Sequence, residues 1–172
     1  ISVSAMIGVG LMIAMGCLSW RDAAYALSTP VIMIIVTSLA LGKALMSTGM
    51  AGYLAMSFVS IVSDMQTPLI LSIFMLIMAI LTNVVSNNAA AVIGTPIAIA
   101  IAQQLNVAPE PFVLAVLFGA NMSYVTPYGY QTNLLILSAG GYKFSDFLKI
   151  GIPLTVIMWV GFSIVLPLLY VL

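Results

Sequence analysis

Two polar breaks inside long apolar runs decide what this chain can fold into. The first is Thr82-Asn83-Val84-Val85-Ser86-Asn87-Asn88. The second is Thr126-Pro127-Tyr128-Gly129-Tyr130-Gln131-Thr132-Asn133, whose proline and glycine interrupt a helix. The sequence around them leaves lipid as the solvent. Of 172 residues, 63% are hydrophobic and 5% are charged, against roughly 25% charged in a soluble domain. Hydrocarbon offers no hydrogen bonds, so broken backbone survives there only when protein buries it or when it lines a cavity. Two such breaks in one short chain predict a binding site within the bilayer, an arrangement typical of secondary transporters.

The predicted class is an all-α membrane protein. A crossing takes about 20 apolar residues, so the length allows about five or six passes and no soluble domain. Formal net charge is zero, which gives no reason to expect a nucleic-acid partner. Histidine is absent, and with it the commonest general base and transition-metal ligand. The four acids fall near predicted helix ends or loops. No serine has a histidine or an embedded lysine at helical spacing, so the residues do not read as an enzyme.

Along the chain, residues 1–18 read as one span. Ser19 and Asp22 resemble a capping box. Residues 20–28 carry Trp20, Arg21 and Tyr25, a mix suited to the membrane–water interface. Pro30 opens the next helix, residues 31–45 cross the membrane, and Ser47-Thr48-Gly49 ends that crossing. Residues 51–62 read as an interfacial or tilted connector, which completes a scaffold part over 1–62. Residues 69–81 descend and 89–102 return. They are too few for two comfortable crossings, so residues 67–104 predict a re-entrant hairpin with a buried tip at 83–88. A broken helix follows over 111–139, with a first half at 112–125 that stops at Pro127 and a second half ended by Gly140-Gly141. Residues 142–149 read as an amphipathic surface stretch and 150–172 as a terminal span. Arg21, Lys143 and Lys149 fall in loops on one side, Asp64 and Glu110 on the other. The positive-inside rule makes the first side cytoplasmic.

The hairpin tip and the octet carry the candidate chemistry. Asn83, Ser86, Asn87 and Asn88 supply carbonyl and hydroxyl oxygens and amide donors. A helix starting near Ala89 would turn its amide ends toward the cavity, where they attract anions. The alternative is that these residues cap helices or join one helix to another. In the octet, Pro127 and Gly129 free backbone carbonyls, and Thr126, Thr132 and Asn133 place oxygens beside them. Unwound carbonyls next to a half-helix coordinate sodium in transporters; the alternative is a proline kink with no ligand. Asn121 and Ser123, one or two turns earlier, extend the same site. Ser86, Asn87, Thr126, Pro127, Gly129, Thr132 and Asn133 are therefore the candidate sodium-binding residues. Asn87, Asn88 and Thr132 are the candidate substrate-binding residues. No other cofactor is called for.

These motifs resemble the divalent anion/sodium symporter family of the ion transporter superfamily. Ser86-Asn87-Asn88 and the octet from Thr126 to Asn133 carry the resemblance. Gly140-Gly141-Tyr142-Lys143-Phe144-Ser145-Asp146-Phe147 and Gly151-Ile152-Pro153-Leu154 add to it. It covers roughly residues 20–172 and is nearest to the bacterial and algal sulfate/dicarboxylate-type permeases. The family tip reads Ser-Asn-Thr, so Asn88 is a departure that bears on the substrate. The resemblance implies two inverted repeats, each with one re-entrant hairpin and one broken helix. Only one of each is found here, so the chain is expected to be the C-terminal repeat, with transmembrane helices and an interfacial helix, that pairs with an N-terminal repeat. It further implies a sodium-coupled transporter for sulfate or dicarboxylates that works by rocking or elevator movement, a homodimer when complete, in a bacterial plasma membrane. An accessory membrane subunit without transport, and an antiporter or metalloid exporter of the same superfamily, stay as alternatives.

Overall fold

A computed structural model of the chain describes residues 2–25 and 29–170. Expectations that reach Ile1, residues 26–28 or residues 171–172 lie outside the described residues. The chain divides into two compact units, residues 1–37 and 38–172.

The first unit holds α1 (Ser2–Ala14), α2 (Trp20–Tyr25) and the start of α3 (Thr29–Ser47). Of the expected span over 1–18, the described residues form a helix over Ser2–Ala14. Gly16 ends the helix by taking φ of 72°, while the Cys17 amide donates back to Met12 O at 2.9 Å. This is a Schellman-type stop, which glycine makes cheap. Ser19 Oγ accepts from the Asp22 amide at 3.1 Å and so caps α2.

The second unit begins inside α3. Gly49, at φ 73°, closes that helix and opens α4 (Met50–Val62). The axis turns by 70° between Leu39–Ser47 and Met50–Val62. One face of α4, with Ala51, Ala55 and Val62, is buried and packs on α6 (Asn87–Leu105). Ser57 and Ser60 donate to carbonyls of their own helix, Tyr53 O and Ser57 O.

α5 (Thr67–Val84) buries Ile70, Leu71, Phe74, Met75, Met78, Ala79 and Thr82, a helical spacing that makes one continuous face. α7 (Glu110–Asn121) packs against both α5 and α6. Close approach of α7 needs Gly119: a Cβ there would stand 2.7 Å from Met75 O. Phe58, Phe74 and Phe112 form an aromatic chain from α4 through α5 to α7, with centroids 5.7 and 6.4 Å apart.

Three expected boundaries move. The helical break between α5 and α6 is Val85-Ser86, not all of 83–88. The arms, 18 and 19 residues, each reach about 27 Å or more. Both are long and apolar enough to cross a membrane, contrary to the estimate that residues 69–102 are too few. The reason is that Thr82 and Asn83 stay helical, since their side chains find hydrogen bonds elsewhere in the protein. Second, the helix expected over 112–125 ends at Asn121, before any clash with Pro127. Third, the terminal helix α9 (Phe144–Tyr170) starts ahead of residue 150 and absorbs most of the expected surface stretch, Lys149 included. Asp146 Oδ2 accepts from the Lys143 amide at 2.9 Å, half of a capping box that sets this earlier start.

α9 packs on α5 and α7. Trp159 Nε1 donates to Ser72 O at 3.0 Å, and the Ser72 and Ser163 hydroxyls lie 2.7 Å apart. Phe118 stacks on Phe162 at 4.0 Å. Elsewhere α9 shows large apolar side chains such as Ile157 and Leu168, as a lipid-facing helix does. Among the described residues, α5, α6 and α9 are long and apolar enough to cross a membrane, and the bent pair of α3 and α4 is a fourth candidate.

Candidate functional site: the unwound segment docked on the hairpin

The site is built by the last turn of α5. Thr82 continues the buried stripe of Leu71, Met75 and Met78, so its hydroxyl needs an internal acceptor. It donates to Ala120 O at 2.7 Å, near the end of α7. Asn83 is next. Its Nδ2 donates to Ala79 O at 2.7 Å and to Met122 O at 2.9 Å. Its Oδ1 accepts from the amides of Val125 at 3.0 Å and Thr126 at 3.1 Å. Thr126 Oγ1 returns a bond to Asn83 O at 2.7 Å. Side chains of α5 thus replace helical amides as partners for the end of α7, where the chain unwinds.

Beyond the unwound segment, Pro127–Gly129 forms a 3₁₀ turn, and α8 (Gln131–Ala139) begins. Pro127 and Gly129 are buried. Gly129 lies against the hairpin, where a Cβ would meet Thr82 O at 2.7 Å and Ser123 Cβ at 2.9 Å. Asn133, in the first turn of α8, reaches back. Its Nδ2 donates to Ser123 O at 2.8 Å and Thr126 O at 3.4 Å. The side-chain Oδ1 remains as an acceptor. Asn133 also lines a cavity of about 280 Å³ shared with Tyr124, Asp146 and Gly151.

The structure therefore brings Thr126 and Gly129 onto Thr82 and Asn83, with Pro127 between them in the chain and Asn133 bonded to Ser123 and Thr126. It does not bring the hairpin tip to them by hydrogen bonds. Ser86 Oγ accepts from the Ala89 amide at 3.3 Å, and Asn87 Oδ1 accepts from the Asn88 amide at 2.8 Å. Both bonds lie in the first turn of α6, as caps. Asn87 is half-buried, while Ser86 and Asn88 are exposed. Thr132 is exposed on α8. Two residues were under-read in sequence. Thr82 is the clamp on α7, and its place on an apolar stripe is the signal for it. Ser123 is 5% exposed and gives its carbonyl to Asn133.

Chemically, the arrangement is a cluster of neutral oxygens. Neither residues 82–88 nor 120–133 contain a charged side chain. The carbonyls of Ala120, Met122, Ser123 and Thr126 each accept from a side chain, and a carbonyl oxygen has a second lone pair to offer. A hard cation is the species such a set suits.

The whole chain, residues 1–172, matches a family described as citrate transporter. This chain belongs to the citrate transporter family. An uncharacterized transporter of Synechocystis is 36% identical over 99% of this chain and 28% of the relative. An uncharacterized transporter of Escherichia coli is 31% identical over 98% of this chain and 28% of its own length. Sodium/sulfate cotransporter 1 of Chlamydomonas reinhardtii is 30% identical over 94% of this chain and 19% of its own length. The chain thus spans between 19% and 28% of these relatives. The resemblance to ion transporters drawn from the tip and the octet stands, and the chain belongs in the membrane as a multi-pass protein.

Proposed function

We propose that this chain is the C-terminal repeat of a secondary active transporter that carries a small divalent or multivalent anion, such as sulfate or a di- or tricarboxylate, together with sodium. The observation that carries this reading is the neutral, unwound segment pinned to the hairpin end. An unpaired buried dianion is very costly, and no lysine or arginine is at hand in residues 82–88 or 120–133. The N-terminus of α6 contributes only about half a charge. Bound cations offset the rest, so the anion binds well after sodium does. Ser86, Asn87, Thr126, Pro127, Gly129, Thr132 and Asn133 contribute to the sodium site, and Asn87, Asn88 and Thr132 to the anion site. The relative named sodium/sulfate cotransporter 1 supports the ion and the class of anion. A second repeat supplies the opposing half, and the hairpin with the broken helix moves as one body to expose the site to each face in turn.

The test is anion uptake against sodium concentration in the complete transporter, wild type and Asn133→Ala. The substitution removes two bonds to the unwound carbonyls. The half-saturation for sodium should rise about fivefold or more, since each net hydrogen bond is worth about 1 kcal/mol. Anion affinity falls with it, by linkage. An unchanged sodium response with normal anion affinity would remove Asn133 from the site. Uptake indifferent to sodium and driven by a proton gradient would overturn the choice of ion.

A further inference from the structure

The carboxamide of Asn83 uses its full bonding capacity. It has two N–H donors and two lone pairs, and all four are engaged, by Ala79 O, Met122 O and the amides of Val125 and Thr126. No other side chain matches this set. Aspartate has the shape without the donors, leucine has neither, and glutamine is one methylene too long. The bonds also fix directions. Among the described residues no peptide is cis, and in a trans peptide the C=O points opposite to its N–H. Two amides aimed at Asn83 Oδ1 therefore turn the carbonyls of Tyr124 and Val125 away from the hairpin. Tyr124 O indeed faces α9 and is the nearest atom to a Cβ built on Gly151.

We propose that Asn83 is a positioning residue: through Met122 O and the amides of Val125 and Thr126 it fixes the backbone of the unwound segment, and with it the placement of the Ser123 and Thr126 carbonyls and the affinity of the coupling-ion site. Thr126 is the second part of the device, because its hydroxyl donates to Asn83 O and doubles the link. The inference rests on the sodium-coupled reading above. It differs from plain structural adhesion in what it predicts. A residue that only holds helices together changes the amount of folded transporter. A residue that aims ligands changes the ion concentration at which the transporter works.

Two measurements on the complete transporter separate these cases. The first is the sodium half-saturation of anion uptake in Asn83→Ala, Thr126→Val and Thr126→Ser, with Ser72→Ala as the adhesion control about three turns earlier on α5. Asn83→Ala should raise half-saturation well over tenfold and Thr126→Val about fivefold, for loss of several bonds and of one. Thr126→Ser, which keeps the hydroxyl, should shift half-saturation less than Thr126→Val, and Ser72→Ala should stay near wild type. The second is amide hydrogen exchange over residues 122–130, which should quicken in Asn83→Ala and Thr126→Val. If half-saturation is unchanged and only maximal uptake falls, Asn83 is adhesion and the proposal is overturned. Unaltered exchange overturns it as well. Should Asn83→Ala fail to insert, the Thr126→Val and Thr126→Ser pair decides. Wild-type uptake that ignores sodium refutes the sodium-coupled reading instead, and the exchange measurement then decides whether Asn83 holds the segment.

Discussion

At Gly129 the constraint is space. It has no positive φ, so another residue could adopt its backbone. What it cannot supply is room, because Thr82 O and Ser123 Cβ already stand where a Cβ would go. Backbone and a buried side chain are the obstacles, and neither swings aside as a flexible chain end would. Gly129→Ala should therefore push the 3₁₀ turn off α5 at a cost of about 1–3 kcal/mol, as overpacking does. The measurement is the thermal midpoint in detergent, compared with Gly161→Ala, whose Cβ would meet nothing within 4 Å. Gly129→Ala should melt lower than wild type while Gly161→Ala does not, and equal midpoints for the two would show that the approach is not tight. The glycine was legible in sequence as a helix breaker. Its second role was not, because contact with Thr82 depends on which face α5 turns to the broken helix. The same holds for Asn83. Its amide chemistry is visible in the sequence, but the four partners come from residues 79, 122, 125 and 126, and three of those are distant in the chain. Ser86 went the other way: its capping of α6 follows from local sequence alone.

Among the elements, the breaks were legible and their extents were not. Proline and glycine mark where a helix can stop, so the octet located the discontinuity between α7 and α8. The stop itself comes earlier, at Asn121, because Thr82 and Asn83 capture the carbonyls of Ala120 and Met122. Hydropathy likewise truncated the hairpin arms at the first polar residues, although those residues are helical and satisfied by tertiary bonds. The longer arms sharpen the question of membrane depth. If the hairpin is re-entrant, as the sequence predicts, Val85-Ser86 and the start of α6 lie within the protein at depth, and the polar tip borders the binding site. On a Cys17→Ser background, Asn87→Cys should react with a membrane-impermeant thiol reagent far more slowly than Glu110→Cys at the start of α7. Adding anion and sodium should slow it further. Equal rates at the two positions, from the same side, would place the tip in water and make α5 and α6 two full crossings.

For the whole molecule, the polar groups of residues 38–172 tell the most. Trp159, Ser72 and Ser163 tie α9 to α5, and Thr82, Asn83 and Thr126 tie the unwound segment to the same helix. In the proposed site the Asn133 Oδ1, the exposed Asn88 and Thr132 and the second lone pairs of the pinned carbonyls are the groups that meet ligands. They are neutral, and they come from one hairpin and one broken helix. Enclosing a dianion and its cations takes several oxygen ligands per cation and exclusion of water on every side. One set of neutral groups leaves the ligand open to solvent, where its hydration competes with the site. We therefore expect the 172-residue chain, reconstituted alone in vesicles, to give no sodium-driven uptake of sulfate, succinate or citrate above protein-free vesicles. Coexpression with a repeat of inverted topology that carries its own hairpin and broken helix should restore uptake. Asn133→Ala in the combined transporter should then raise the sodium requirement. Robust sodium-dependent uptake by the single chain would mean that two copies complete one site in opposite orientations, and crosslinking between copies through Tyr128→Cys, on the exposed side of the octet, would then be the next outcome to look for.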